Sequence, residues 1–249
     1  MLKLLNYKLL RWSVLMVLIA AGNAWSQNAE TEFIQAVDKS NFSRVKTILE
    51  SKSFDKEQLN QALHLAVKRG NAEIVGHFLQ LGVDIDSRAD EGYTPLLQAA
   101  RDGREQIVQQ LLTAGADAHA VSDDGSTAII LAAEKDRRKV IGLLLEAKVD
   151  VNARRNDGMT ALLLAAQEGH KQTIQTLVDA NANVNYQLEN GATALMMAAQ
   201  HGSLGATYAL VAAKADLNLK ANNGVTALSL ASRYGHREIS ELLKKAGAR

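Results

Sequence analysis

The chain has 249 residues, with 28 Lys and Arg against 27 Asp and Glu and a formal net charge of +1 at pH 7. This balance argues against a nucleic-acid-binding protein, which needs a basic excess to follow phosphates, and the aromatic content of 4% is too low for base-stacking platforms. The sequence contains no cysteine, which excludes disulfides, thiolate metal ligands and a cysteine nucleophile.

The N-terminal segment has the composition of an export signal. Residues 1–12 carry three basic residues and no acidic one, and an apolar run covers residues 12–21 before small and polar residues follow. A basic start, a short apolar middle and small residues at the cut site predict a secretory signal peptide over residues 1–26. Cleavage after Ser26 and cleavage after Ala24 both place small residues at the required positions.

The alternative for this segment is an uncleaved membrane anchor. The apolar run of about ten residues is short, since about 20 are needed to cross the hydrocarbon core of a bilayer. Removal of residues 1–26 leaves 25 of the 28 basic side chains against 27 acidic ones, a net charge of −2. Such a chain has no electrostatic reason to bind anionic lipid, so we expect it to be periplasmic or secreted.

A six-residue motif then recurs with a period of 33 residues. Its copies begin at Gln61, Thr94, Thr127, Thr160, Thr193 and Thr226. Six copies in register do not arise by chance, and the motif, for example Thr-Ala-Leu-Leu-Leu-Ala from Thr160, is similar to the T-P-L-H-x-A signature of the ankyrin repeat. The sequence therefore resembles the ankyrin-repeat family.

The residues around each motif agree with this resemblance. Asp-Gly or Asn-Gly precedes four of the motifs, at Asp124, Asp157, Asn190 and Asn223, and favours a tight hairpin because these residues tolerate positive φ. The motif threonine is predicted to cap the first helix of its repeat. Pro95 follows one such threonine, at the first helical position, where a missing N–H costs nothing.

The resemblance implies an α-helical solenoid of about seven stacked helix–turn–helix repeats with β-hairpin loops. We predict a degenerate N-terminal capping repeat at residues 27–57, because residues 33–50 align with residues 63–80. The six repeats that follow are predicted at residues 58–90, 91–123, 124–156, 157–189, 190–222 and 223–249.

Four positions depart from the glycine of the family pattern. Asp136 replaces the glycine between two helices, and Lys148, Asn181 and Lys214 replace a later one. If these backbones are left-handed, as the resemblance implies, Asn is well tolerated, whereas each Lys should cost about 1 kcal/mol. We therefore expect the middle of the stack to be its softer part.

The titratable residues do not form a catalytic or metal-binding pattern. The histidines, at positions 64, 77, 119, 170, 201 and 236, lack the close spacing of a zinc site. His170 and His236 occupy the same repeat position, which indicates a scaffold role. The pair Asp123 and Asp124 lies in a predicted hairpin, where solvated aspartate is an ordinary turn residue.

Phosphate and nucleophile motifs are also absent from the sequence. The basic run Arg137–Lys139 at the start of a second helix is interpreted as a solvated face. We therefore predict no enzyme activity, no cofactor, no metal and no small-molecule substrate.

The ankyrin resemblance implies that a partner protein binds the concave surface formed by the hairpin tips and first helices. Transferred position by position, the predicted contact residues are Lys68, Arg69, Arg88, Tyr93, Arg101, Asp102, Glu134, Lys135, Arg154, Met159, Gln167, Glu168, Gln200, His201, Lys220, Arg233 and Tyr234. Basic members cluster towards the N-terminal end, and Tyr93, Met159 and Tyr234 are of types enriched at interfaces.

These observations predict a non-enzymatic protein-interaction module, monomeric and exported. We expect a protein partner whose acidic patch docks between Lys68 and Lys135. Two alternatives remain at this point: a protective or inhibitory protein that occludes a toxic or regulated enzyme, and a membrane-tethered structural scaffold.

Overall fold

The computed structural model describes residues 28–249. The predicted signal peptide and both of its cleavage positions therefore lie outside the described residues. Internal contacts divide the chain into two units, Met1–Val83 and Asp84–Arg249, and the first is described from residue 28. No helix within residues 28–249 has the length and apolar character needed to span a membrane.

Residues 28–83, the described part of the first unit, form four helices. They are α1 (residues 28–38), α2 (Phe42–Ser51), α3 (Lys56–Arg69) and α4 (Ala72–Gln80). Phe33 is fully buried and stacks on Phe54, with ring centroids 4.2 Å apart, and its ring meets the edge of Phe78 at 6.1 Å. These three rings pack together in the core of the unit.

The second unit alternates short first helices with longer second helices. The first helices are α5 (Pro95–Asp102), α7 (Ala128–Glu134), α9 (Ala161–Gln167), α11 (Ala194–Gln200) and α13 (Ala227–Arg233). The second helices are α6 (Glu105–Thr113), α8 (Arg138–Glu146), α10 (Lys171–Asp179), α12 (Leu204–Ala212) and α14 (Arg237–Lys245). First helices pack on first helices and second helices on second helices, which gives two layers.

The repeated motif explains this packing. The last residue of the motif and the alanine that follows it, such as Ala99 and Ala100 or Ala165 and Ala166, are fully buried, because small side chains let neighbouring first helices approach closely. Leucine and isoleucine at the motif's apolar positions fill the space between the layers. The predicted fold class, an ankyrin-type helical solenoid, is confirmed.

The helix starts follow the predicted capping pattern with one exception. The hydroxyls of Thr94, Thr160, Thr193 and Thr226 each accept the backbone N–H three residues later, and Pro95 is the first residue of α5. Thr127 occupies the same position but makes no such bond, and its buried hydroxyl has no hydrogen-bond partner. The start of α7 therefore lacks one stabilising contact that its neighbours have.

The hairpin loops contain less regular β-structure than the family pattern implies. Residues 28–249 contain no β-strand, and only two isolated antiparallel bridges occur, between Val121 and Thr127 and between Arg154 and Thr160. The left-handed backbone expected at the glycine replacements is present, with φ of 53° at Asp136, 61° at Lys148, 66° at Asn181 and 62° at Lys214.

Candidate partner-binding surface

The hairpins before α7, α9, α11 and α13 share one closing hydrogen bond. In each, the side-chain oxygen of the Asp or Asn accepts the backbone N–H two residues later, at 2.9 to 3.2 Å. The glycine that follows has a φ between 79° and 83°, a conformation that is strained for other residues. These turns fix the outer edge of the predicted binding face at Asp124, Asp157, Asn190 and Asn223.

The hairpin before α5 is built differently. Glu91 takes the Asp or Asn position with a φ of 60°, and Gly92 follows at 71°, so that Asp90–Gly92 forms a single 3-10 turn. The predicted contact residue Arg88 is exposed and donates a long hydrogen bond of 3.4 Å to the carbonyl of Gly92.

Hydrogen bonds join successive hairpins into a row that we call the hairpin ladder. The backbone N–H of Asp123 donates to the carbonyl of Glu91 at 3.0 Å, that of Asn156 to Asp124 at 3.0 Å, and that of Asn222 to Asn190 at 2.9 Å. The side-chain amides of Asn156 and Asn222 reinforce two of these steps, donating to carbonyls of the preceding hairpin.

One step of the hairpin ladder differs from the others. Glu189 stands where Asn156 and Asn222 stand, and its carboxylate cannot donate a hydrogen bond. In the described unit Asp84–Arg249, no backbone hydrogen bond joins the hairpin of Asp157 to the hairpin of Asn190. The side chain of Leu188 lies against Gly158 there, and the guanidinium of Arg154 lies over the ring of Tyr186, so this step is held by van der Waals and cation–π contact.

Several predicted basic residues already have acidic partners. In the first unit, Lys68 is exposed, and Arg69 is bonded to Asp38 through Nε at 2.8 Å and Nη2 at 2.5 Å. In the second unit, Arg101 lies 3.6 Å from Asp102, and Lys135 lies 2.8 Å from Glu134. These pairs reduce the positive potential expected from the sequence.

Aromatic rings hold two of the predicted arginines. The guanidinium of Arg101 lies 4.7 Å from the ring centroid of Tyr93, and that of Arg154 lies 5.7 Å from Tyr186. Such cation–π contacts place the charge above a ring and keep part of the arginine surface exposed. Tyr234 is 53% exposed, which makes it the most exposed of the three predicted residues Tyr93, Met159 and Tyr234.

Met159 differs from the prediction. Its side chain is only 7% exposed because the backbone turn at Asp157 directs it into the unit, and it offers almost no surface to a partner. The remaining residues predicted in the second half of the stack are exposed or partly exposed: Gln167, Glu168, Gln200, His201, Lys220 and Arg233.

A groove of about 300 Å³ lies between the hairpins of Asn190 and Asn223 and the ends of α9, α11 and α13. Gln167, Gln200 and His201 line it, together with Met197. Its remaining lining is Asn190, Ala192, Met196, Ala221, Asn223, Val225 and Leu230. No Lys, Arg, Asp or Glu contributes to this lining, and His201 is its only titratable side chain. We call it the methionine groove.

Met197 and the two asparagines were not among the predicted contact residues. Met197 lies inside the repeated motif, which the sequence argument assigned to the framework. The equivalent residues Leu131 and Leu164 are 4% exposed, whereas Met197 is partly exposed. A comparison of residue type at this one motif position could have singled out Met197, since thioether side chains are common at adaptable binding surfaces.

The histidines at equivalent repeat positions have the scaffold role predicted from their spacing. His170 Nε2 lies 3.0 Å from the carbonyl oxygen of Glu134, and His236 Nε2 lies 3.0 Å from that of Gln200. Each therefore joins one repeat to the end of the preceding first helix. Residues 28–249 contain no group of three or more His, Cys, Asp or Glu side chains that could share a metal ion.

Hydrogen bonding makes two hairpin carboxylates more acidic. Burial raises the pKa of Asp124, but hydrogen bonds from Ser122 and Ser126 more than offset this, and the pKa lies below its usual value. The Arg155 guanidinium, bonded at 3.0 and 2.6 Å, holds the pKa of Asp157 below its usual value despite partial burial. Both groups therefore act as ionised turn residues, and for Asp124 this agrees with the sequence interpretation.

The chain matches the family model described as ankyrin repeats (3 copies) over residues 33–122, 96–187 and 180–249. The chain belongs to the ankyrin-repeat family. A comparison with curated proteins found no match. Ankyrin repeats indicate a protein–protein interaction module, so a protein is the expected class of partner for the surface described above.

Proposed function

We propose that the ankyrin unit Asp84–Arg249 binds a protein through its hairpins and first helices, without catalysing a reaction. The methionine groove is the observation that carries the proposal. It combines the apolar side chains of Met197 and Val225 with the amides of Asn190 and Asn223, a pattern suited to an apolar side chain on an extended partner segment.

The charge arrangement favours the groove over an acidic-patch contact as the anchor point. Arg101 and Lys135 are each close to a carboxylate, and separating such pairs to bind an acidic partner exchanges one ion pair for another. The groove lining has no such pairs to separate. We therefore propose that the partner inserts an uncharged apolar side chain into the methionine groove. Basic residues such as Arg88, in the hairpin before α5, would add weaker contacts towards the N-terminal end of the same face.

We further propose that residues 1–26 direct export and are removed, so that the partner is met in the periplasm or outside the cell. The support is the order of basic, apolar and small residues in this segment. Mass spectrometry of the protein recovered from the periplasmic fraction should give an N-terminus at Gln27 or Trp25. An intact Met1 on membrane-bound protein would instead support the tethered scaffold.

The binding proposal is tested by affinity capture with the full chain and three variants. Met197→Lys places a charge in the methionine groove and should abolish capture of the protein that the unaltered chain retains. Arg88→Glu should reduce capture only in part. Leu81→Lys is the matched control, because Leu81 is 52% exposed in the other unit, and this variant should capture the same protein at the original level.

Circular dichroism at rising temperature must first establish that each variant is folded. The proposal fails if Met197→Lys, once shown to be folded, captures the protein as well as the Leu81→Lys control does.

A further inference from the structure

The helix α12 lacks the polar outer row that the other second helices carry. At helix positions 1, 2, 5 and 9, which lie on one side, α10 has Lys171, Gln172, Gln175 and Asp179 and α14 has Arg237, Glu238, Glu241 and Lys245. At the same positions α12 has Leu204, Gly205, Tyr208 and Ala212. Leu204 is 39% exposed and Tyr208 is 55% exposed, so an apolar strip faces solvent.

Lys171, on the neighbouring helix α10, contacts this apolar strip. Lys171 Nζ lies 5.4 Å from the ring centroid of Tyr208. A Cβ atom at Gly205 would lie 3.5 Å from Cβ and Cδ of Lys171, so the lysine chain passes directly across the glycine. Gly205 thus gives the lysine room to reach the tyrosine ring, and the two side chains form a cation–π contact.

Charged side chains border the apolar strip on both sides. On the α10 side, Lys171 and Asp179 stand at the first and last helical positions. On the α14 side, Arg237 and Glu238 hold the first two positions and Lys245 the last, and all five side chains are exposed. The α10 border is therefore positive at its N-terminal end and negative at its C-terminal end. On the α14 border, Arg237 and Glu238 offset each other at the N-terminal end, and Lys245 is positive at the C-terminal end.

We propose that this outer face, formed by α10, α12 and α14, binds a second copy of the chain. A two-fold axis parallel to α12 places α12 against its copy, with Tyr208 near Tyr208 of the second copy. The same axis places α10 opposite α14 of the second copy. Asp179 then faces Lys245 of the second copy, an attractive contact that occurs twice, while Lys171 faces Arg237 and Glu238 of the second copy, whose charges offset each other.

The size of the face sets the strength of this association. Three helices of nine residues, each about 13 Å long and spaced by about 10 Å, cover about 400 Å² per copy, or about 800 Å² in total. That is below the roughly 1,200 Å² of a stable interface, so the dimer is weak and reversible. The expectation of a monomer then holds only for dilute protein.

This dimer does not depend on the proposed partner-binding function, because none of its residues belongs to the hairpins or first helices. The test is sedimentation velocity of the full chain from about 10 µM to about 1 mM, a range that covers weak association. We expect the weight-average sedimentation coefficient to rise with concentration towards that of a dimer. Tyr208→Glu should raise the dissociation constant at least about tenfold, as expected for loss of a central aromatic residue.

Tyr234→Glu is the matched control, since Tyr234 is 53% exposed and lies outside the α12 face. This variant should dimerise like the unaltered chain. A chain that stays monomeric at about 1 mM would overturn the proposal. An association that Tyr208→Glu leaves unchanged would do the same.

Charge reversal distinguishes this arrangement from other contacts. Asp179→Lys and Lys245→Asp should each raise the dissociation constant roughly threefold, because each reverses two symmetry-related contacts. The double variant Asp179→Lys/Lys245→Asp should return it to within about twofold of the original value. If the double variant is no better than the single ones, the proposed two-fold geometry is overturned.

Discussion

The hydroxyl of Thr173, on α10, donates a hydrogen bond of 2.6 Å to the carboxylate of Asp136, which lies 37 residues earlier in the turn before α8. Asp136 has a φ of 53°, a strained conformation for a residue with a side chain, and it replaces the glycine of the family pattern. Thr173 itself is fully buried. The hydrogen bond therefore connects two repeats and offsets part of the strain at Asp136.

Thr173→Val tests this relationship. The substitution keeps the buried volume but removes the donor. Because Asp136 is exposed and water can replace the lost donor, we expect the free energy of unfolding to fall by about 0.5 to 1.5 kcal/mol, the usual net value of a protein hydrogen bond. Urea unfolding followed by circular dichroism measures the change.

Thr207→Val provides the control for the hydroxyl itself. Thr207 is also fully buried, but its hydroxyl donates to the carbonyl of Ser203 in its own helix, and that carbonyl also accepts the Thr207 backbone N–H. This variant should lose at most a few tenths of a kcal/mol, because helical Ser and Thr bonds of this kind do not stabilise. Equal losses in the two variants would contradict a special role for Asp136.

Lys148→Gly is expected to stabilise the protein. Lys148 has a φ of 61°, and glycine adopts this conformation without steric cost. We expect a gain of roughly 0.5 to 1 kcal/mol in the free energy of unfolding, after allowing for the greater entropy of glycine in the unfolded chain. Lys214→Gly, at a φ of 62°, should stabilise the protein by a similar amount.

Asn181→Gly is the comparison for these substitutions, because asparagine tolerates the left-handed region at its φ of 66°. Its gain should be smaller than that of either lysine variant. The softness predicted for the middle of the stack would have no basis if all three substitutions proved neutral.

The Arg155–Asp157 pair makes stability depend on pH in the acidic range. The pKa of Asp157 is lowered in the folded protein by its bonds to Arg155, so the pair contributes stability above the unfolded pKa of about 3.9. This contribution is lost as the pH falls through the lower folded pKa. Since the Asp157 side chain is 52% exposed, solvent screening limits the effect to a few tenths of a kcal/mol.

Urea unfolding at pH 7 and at pH 3 measures this effect. Asp157→Asn should show a smaller loss of stability between the two values, because its amide can still accept the backbone N–H of Met159, as Asn190 does for Ala192 in the next repeat. Arg155→Gln should flatten the dependence equally, and the double variant should add nothing further. If Asp157→Asn lost as much stability between pH 7 and pH 3 as the unaltered chain does, other carboxylates would be responsible for that loss.

Local features of the stack follow directly from the sequence. The period of 33 residues fixes the alternation of helices, and the motif threonines mark helix starts because the capping bond needs only a hydroxyl three residues before a free N–H. Thr127 shows the limit of this reasoning. It has the right residue at the right position, but the bond is absent from the structure.

Contacts between repeats are harder to predict, because they join residues more than 30 positions apart. The pairing of Arg69 with Asp38 and that of Thr173 with Asp136 depend on the exact offset between helices. Met159 was placed on the surface by its hairpin position, but the turn directs it inwards. The exposed contact set could therefore be proposed from the sequence, whereas its net charge and its groove could not.

The missing step in the hairpin ladder has a consequence for how the stack responds to force. A load that pulls Arg249 away from the rest of the unit acts first on the last hairpin steps. Three hydrogen bonds join the hairpins of Asn190 and Asn223: Asn222 N–H to Asn190, the Asn222 side chain to Glu189 and the Gln187 side chain to Lys220. Within the described unit, no hydrogen bond joins the hairpin of Asp157 to that of Asn190. The hairpins of Asn190 and Asn223 would therefore move together, as one mechanical unit, before the hairpins closer to the N-terminus separate.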